Sequence, residues 1–137
     1  MESQDAAVES SDRPRRARTR LESFRFAFAG LWYVLKTQRN AWIHALATML
    51  VAGLALWLRL PREDWALLLL AISLVWLAEF VNTALEAVVD LASPQQHPLA
   101  RVGKDVGAAA VLTAAITAAM TGLLVMGPPL WQRLFGR

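Results

Sequence analysis

Cysteine is absent from this 137-residue chain, which excludes disulfides, thiolate metal sites and a cysteine nucleophile. Charge is scarce: Asp, Glu, Lys and Arg make up 18% of residues, against 56% hydrophobic. That balance excludes an ordinary soluble domain of this size. Basic residues outnumber acidic ones, 14 to 11, but they are not spread along the chain. Arg13, Arg15, Arg16, Arg18, Arg20, Arg25, Lys36 and Arg39 all precede the first long apolar run. Beside apolar segments, such a cluster orients a chain in a membrane and attracts anionic head groups, so no nucleic-acid partner is expected. The opening residues also lack the apolar core of a secretory signal, and their removal is not expected.

What the chain has in abundance is long apolar sequence. AWIHALATMLVAGLALWLRL at 41–60, a second run from 64 to 91, and a third at 103–127 each reach the roughly 20 residues that a membrane-crossing helix needs. Trp42, Trp57, Trp65 and Trp131 lie near the ends of these runs, as an interfacial aromatic belt requires, whereas Trp76 falls mid-run and suits packing. Ahead of them, RLESFRFAFAGLWYVLKT at 20–37 spaces Phe24, Phe28, Leu31 and Leu35 as an amphipathic interfacial helix does. The expected fold is therefore an all-α membrane protein, with an interfacial helix and three transmembrane helices. A basic, flexible tail at 1–18, a functional domain at 19–130 and a short tail at 131–137 complete the division.

Ten of the fourteen Lys and Arg residues lie before the first span or between the second and third. The positive-inside rule then puts the amino terminus and the 92–103 loop in the cytoplasm, and the LPRED turn and carboxyl terminus outside. The third span is rich in Gly and Ala, including the small-xxx-small pair Gly103 and Gly107, which lets helices approach closely. Three short spans bury little surface alone, so a homo-oligomer is expected.

Within the second span, AEFVNTALEAVVDLA carries Glu79, Asn82, Glu86 and Asp90. At about 100° per residue their offsets fall within about 80° on one helix face. An ionisable group deep in a bilayer costs on the order of 2.5–3.5 kcal/mol, so a stripe of three carboxylates and an amide marks a functional site. By the charge bias it occupies the cytoplasmic half of its helix. The 91–103 loop returns the chain to the Asp90 end of this stripe, where Lys104 and Asp105 open the third span. A lysine there meets phosphate oxygens, and Asp105 either orients it or takes part in metal and water contacts.

These parts suit phosphoryl transfer, which needs a divalent cation on the phosphates, a second positive charge, and a carboxylate to receive the acceptor's proton. Mg²⁺ is held by one or two carboxylates plus substrate phosphates, without a dedicated cage. The chain has no Walker glycine-lysine loop and no protein-kinase signature, which excludes the soluble kinase folds.

Four segments carry a resemblance: SFRFAFAG at 23–30, RNAWIH at 39–44, EFVNTALEAVVD at 79–90 and HPLARVGKDVGAAAVL at 97–112. Together, over residues 20–127, they resemble the small prokaryotic integral-membrane diacylglycerol kinase and undecaprenol kinase family. The resemblance implies a homotrimer of three-span chains in the plasma (inner) membrane, using ATP and Mg²⁺ to phosphorylate a membrane lipid alcohol. By position, Glu79 matches the family's general base and Glu86 its metal-binding glutamate. Gln38 stands where many members carry a second metal-ligating glutamate, so weaker metal binding is expected. Asn82, Asp90, Gln95, Gln96, His97, Lys104 and Asp105 match the nucleotide-contacting positions. His44 and Ala108 join Glu79 on the lipid side. The HPLAR wording looks closer to the undecaprenol-type branch. An oligomeric channel would also place carboxylates on one helix face but leaves Lys104–Asp105 unexplained, and a non-catalytic scaffold has no need of three intramembrane carboxylates.

Overall fold

The computed structural model describes residues 20–93 and 97–136. The expected tail at 1–18 and the residues Gln95 and Gln96 lie outside this range. Four helices follow in order: α1 (Arg20–Thr37), α2 (Arg39–Leu58), α3 (Arg62–Ala92) and α4 (Pro98–Phe135). No strand occurs among the described residues. The last three helices are each long and apolar enough to cross a membrane, as the hydropathy pattern predicts. The chain divides into two compact units at Gly30. In the first, the opening turns of α1 expose Leu21, Phe24, Phe26 and Phe28. Phe26 lies opposite Phe24 and Phe28, so aromatic surface is not confined to one face.

In the second unit, from Leu31 onward, a single residue separates α1 from α2. The Gln38 N–H still donates to the Val34 carbonyl at 2.9 Å, but its own backbone is extended, with φ −101° and ψ 115°. Neither glycine nor proline marks this break. At the other end of α2, Arg59 takes a left-handed conformation, and the Arg59 and Leu60 N–H groups donate to Leu56 and Ala55 carbonyls. That arrangement stops the helix as a Schellman cap does and turns the chain into α3, whose first turn carries Glu63 and Asp64 against the helix dipole.

The bundle is divided along its length. At the α2–α3 turn, Ala55, Leu58, Leu68 and Met126 form a buried apolar cluster with Leu54, Trp65 and Leu130 around it. The Arg133 guanidinium lies 4.6 Å above the Trp57 ring there. At the opposite end polar side chains, Glu79, Asn82 and Thr83, are buried beside the apolar Val34, Ala41 and Val111. Elsewhere α2, α3 and α4 expose rows of large apolar side chains such as Leu46, Leu50, Leu70, Leu77, Leu123 and Leu124. Water does not tolerate such a surface; lipid or a second copy of the chain does.

α4 packs mainly along α3. It begins at Pro98, ahead of its apolar run, and continues through Pro128 and Pro129 to Phe135. Membrane helices accommodate proline when neighbours re-satisfy the freed carbonyls. Thr113, Thr117 and Thr121 each donate a hydroxyl to the carbonyl four residues earlier, at 2.8–2.9 Å, so this exposed polar row is satisfied within the helix. The two glycines of the small-xxx-small pair are unequal. A Cβ at Gly103 would meet Val89 at an ordinary 3.9 Å, but one at Gly107 would overlap Asn82 Oδ1. Gly107→Ala is therefore expected to destabilise the fold by about 1–3 kcal/mol, and Gly103→Ala to stay near neutral, in detergent unfolding titrations.

Candidate active site

The antiparallel order of α2, α3 and α4 brings three segments together: the start of α2, the second half of α3 and the start of α4. Gln38, Asn40, Ile43, His44, Asn82, Glu86, Ala108 and Val111 line one cleft of about 280 Å³ there. Glu86 is its centre. Asn82, one turn before it, donates Nδ2–H to Glu86 Oε1 at 3.1 Å, and Gln38 donates Nε2–H to Glu86 Oε2 at 3.2 Å. Both carboxylate oxygens are thus held by amide donors. The Gln38 contact exists because the break between α1 and α2 falls at that residue. Asn82 Oδ1 is buried with no hydrogen-bond partner and lies against the Cα of Gly107.

Glu79 has another setting. Two turns earlier on the same face, it is only 1% exposed. Thr83 donates its hydroxyl to the Glu79 carbonyl at 2.8 Å. The Glu79 Oε2 atom faces His44 Nε2 at 3.7 Å, and neither atom has a hydrogen-bond partner. Trp76, one turn before Glu79, presents its ring edge to the His44 imidazole with centroids 6.3 Å apart.

A second cleft lies at the α3–α4 turn, lined by Asp90, Ser93, His97, Arg101, Lys104 and Asp105 among others. Lys104 Nζ pairs with Asp90 Oδ1. Asp105 faces Arg101 at 3.9 Å, so the lysine is oriented by Asp90 and not by its sequence neighbour. His97 Nδ1 accepts from the Leu99 N–H at 3.2 Å and caps α4, with Pro98 as the first helical residue. The expected nucleotide-contacting residues therefore divide: Asn82 belongs with Glu86, whereas Asp90, His97, Lys104 and Asp105 gather around the turn.

No cluster of three or more His, Cys, Asp or Glu side chains suited to a metal occurs among the described residues. The hard-oxygen donor at this point is the Glu86 carboxylate, towards which Gln38 and Asn82 turn amide N–H groups; a flip of the Gln38 amide would add a carbonyl oxygen. Such a set fits Mg²⁺ arriving on a nucleotide, whose phosphates supply the remaining ligands, and does not form a closed cage. Glu86 and the Gln38 amide would hold that ion.

Sequence reading missed the roles of Gly107, Thr83, Thr48 and Asn40. Asn40 had a findable signal, since it stands two residues from Gln38 in the RNAWIH segment. The Thr48 contact, an acceptance from Trp76 Nε1 at 3.2 Å, joins helices 28 residues apart and leaves no local mark.

Residues 25–126 match the family described as prokaryotic diacylglycerol kinase. A diacylglycerol kinase of Synechocystis sp. is 46% identical over 111 residues, covering 80% of this chain and 63% of that protein. An undecaprenol kinase of Bacillus subtilis is 33% identical over 123 residues, which are 90% of this chain and 100% of the relative. A diacylglycerol kinase of Escherichia coli is 36% identical over 101 residues, 69% of this chain and 83% of its own length. The chain thus spans less than two thirds of the Synechocystis relative and all of the Bacillus one.

A carboxylate in place of the Gln38 amide would add a charged ligand beside Glu86. Gln38→Glu is expected to tighten Mn²⁺ binding in the presence of a non-hydrolysable ATP analogue by about tenfold or more, read by electron paramagnetic resonance of free Mn²⁺.

Proposed function

This chain belongs to the prokaryotic diacylglycerol kinase family, a family of lipid kinases, and from that premise we propose that it transfers the γ-phosphoryl group of ATP to the hydroxyl of a membrane lipid alcohol. The observation that carries the reading is the division of labour along one face of α3. Glu79 is buried against His44, which lines an apolar groove, Glu86 sits in a polar cleft, and a Lys104–Asp90 pair stands at the helix end.

In this reading the lipid hydroxyl reaches Glu79, which takes its proton as the oxygen attacks the γ-phosphorus. The new oxygen–phosphorus bond forms as the bond to the bridging oxygen breaks, and ADP leaves. Lys104 binds phosphate oxygens and balances the charge that develops on them. Asp90 holds the lysine until nucleotide arrives. Glu86 and Gln38 would hold Mg²⁺, which would supply neutralisation of the phosphate charge. Asn82 fixes the orientation of Glu86. His44 and Ala108 border the lipid hydroxyl, and His97 and Asp105, with Gln95 and Gln96, border the nucleotide. Water is kept from the base by its burial, so phosphate passes to lipid in preference to hydrolysis.

The charge bias supports a plasma (inner) membrane protein with its amino terminus and active site in the cytoplasm, where ATP is. The rows of exposed apolar side chains support a homo-oligomer, a trimer by family resemblance. The acceptor is diacylglycerol or undecaprenol, the two lipids in the relatives' names. A channel finds less support, because the polar stripe ends at Glu79 and an apolar cluster fills the opposite end of the bundle.

The test is transfer of labelled γ-phosphate from Mg-ATP to undecaprenol and to diacylglycerol in mixed micelles. Label is expected in one or both. Glu79→Gln is expected to lower kcat by a factor of about 10² to 10⁴ while ATP binding persists. Protein that binds Mg-ATP yet labels no lipid alcohol would overturn the reading.

A further inference from the structure

His44 stands where two unlike spaces meet. It lines the polar cleft with Gln38, Asn82 and Glu86, and it also lines an apolar groove of about 570 Å³ walled by Val51, Leu54, Val75 and Met126. A histidine serving only as core filling has its ring nitrogens satisfied. Here Nε2 is buried and unpaired, and the atom it faces, Glu79 Oε2, is buried and unpaired as well. Their separation of 3.7 Å is a few tenths of an ångström beyond a hydrogen bond. Catalytic contacts of this kind are often long before substrate binds.

The imidazole is framed by a closed set of contacts between α2 and α3. Trp76 Nε1–H donates to Thr48 Oγ1 at 3.2 Å, and the Thr48 hydroxyl donates to the His44 carbonyl at 2.7 Å. The Trp76 ring stands edge-on to the imidazole at an interplanar angle of 68°. Residues 44 and 48 are one turn apart on α2, and 76 and 79 nearly one turn apart on α3, so each pair shares a face. The indole is therefore tied to the Thr48 hydroxyl and through it to the His44 main chain, while its ring edge packs against the imidazole that faces the Glu79 carboxylate.

We propose that His44 is the positioning residue for Glu79: with the lipid alcohol bound, Nε2–H donates to Glu79 Oε2 and turns the other carboxylate oxygen toward the acceptor hydroxyl. The Trp76 ring holds the imidazole in that orientation, and its indole N–H bond to Thr48 fixes the ring. The inference rests on the lipid-kinase reading above. A glutamate has three rotatable side-chain bonds, and a base turned away from its proton is inactive however well the substrates bind, which is why such carboxylates need an orienting donor.

Steady-state kinetics in mixed micelles, with Mg-ATP and either undecaprenol or diacylglycerol, test this. His44→Ala is expected to lower kcat by about thirtyfold or more with the KM for Mg-ATP within about twofold of wild type. His44→Gln, which returns an N–H at a similar reach, restores a large part of the loss. Trp76→Phe keeps the ring and removes the indole donor; it lowers kcat several-fold in the wild type and not at all in the His44→Ala background. That non-additivity shows that Trp76 acts through His44, and the unchanged KM for Mg-ATP with rescue by His44→Gln is the readout that ordinary packing does not produce. Wild-type kcat in His44→Ala, a matching loss of ATP affinity in that variant, or additive Trp76 and His44 effects would overturn the assignment and leave the kinase reading standing. Wild-type protein that labels neither lipid would overturn both.

Discussion

The contact of Asn82 with the backbone of Gly107 is the constraint on which the polar end of the bundle depends. A bilayer offers no water to unsatisfied groups, so the amides and carboxylates of α3 depend on neighbouring helices and one another, and the Glu86 carboxylate meets that demand at both oxygens. With hydrogen alone at position 107, α4 comes close enough to cover Asn82, and Asn82 in turn holds Glu86 Oε1. The other oxygen of Glu86 is reached from the start of α2, by Gln38. Three helices are thus tied to one carboxylate. A side chain at 107 would displace the first of these links and loosen the rest.

Glu79 and Glu86 differ by seven residues, which on an α-helix is nearly two full turns and roughly 10 Å along the axis. They therefore share a face without sharing a ligand atom. One carboxylate buried behind the His44 that lines an apolar groove and one in a polar cleft suit the two ends of the proposed transfer between an amphiphile and a nucleotide. The burial of Glu79 and the amide clasp of Glu86 give two chemically identical side chains unlike surroundings, which is what the proposed roles of proton acceptor and cation ligand on one helix would require.

Much of this was legible in the sequence. The three apolar runs and the 20–37 helix follow from hydropathy and spacing, since a helix in lipid must satisfy its own backbone and show apolar side chains outward. The Glu79–Asn82–Glu86–Asp90 stripe follows from the 100° rotation per residue. Pairings between helices were not legible. Lys104 meets Asp90 while Asp105 turns to Arg101, a choice set by how α4 lies along α3. The extended Gln38 occupies a position where neither glycine nor proline announces a break, and at the LPRED turn Pro61 marks the break but not the left-handed Arg59 that makes it. Trp76 read as packing; its indole donor to Thr48 depends on the approach of α2 to α3. Thr83 and Gly107 likewise acquire their roles only once two helices are in place.

The amide at position 38 changes the energetics of the site before any cation arrives. Two carboxylates about 4 Å apart repel by about 4 kcal/mol at an effective dielectric of 20, so a glutamate at 38 would make a cation-free site unfavourable and a bound cation correspondingly tight. Gln38 replaces that repulsion with a hydrogen bond to Glu86. The cleft is then satisfied when no cation is present, and an incoming ion must compete with an N–H donor for the same oxygen. Because the ion would bring its own phosphate ligands, the competition is decided by the nucleotide and not by the protein alone. In the proposed kinase, weaker intrinsic metal binding and an intact empty site would be two consequences of the one amide at position 38, both acting through the same oxygen of Glu86.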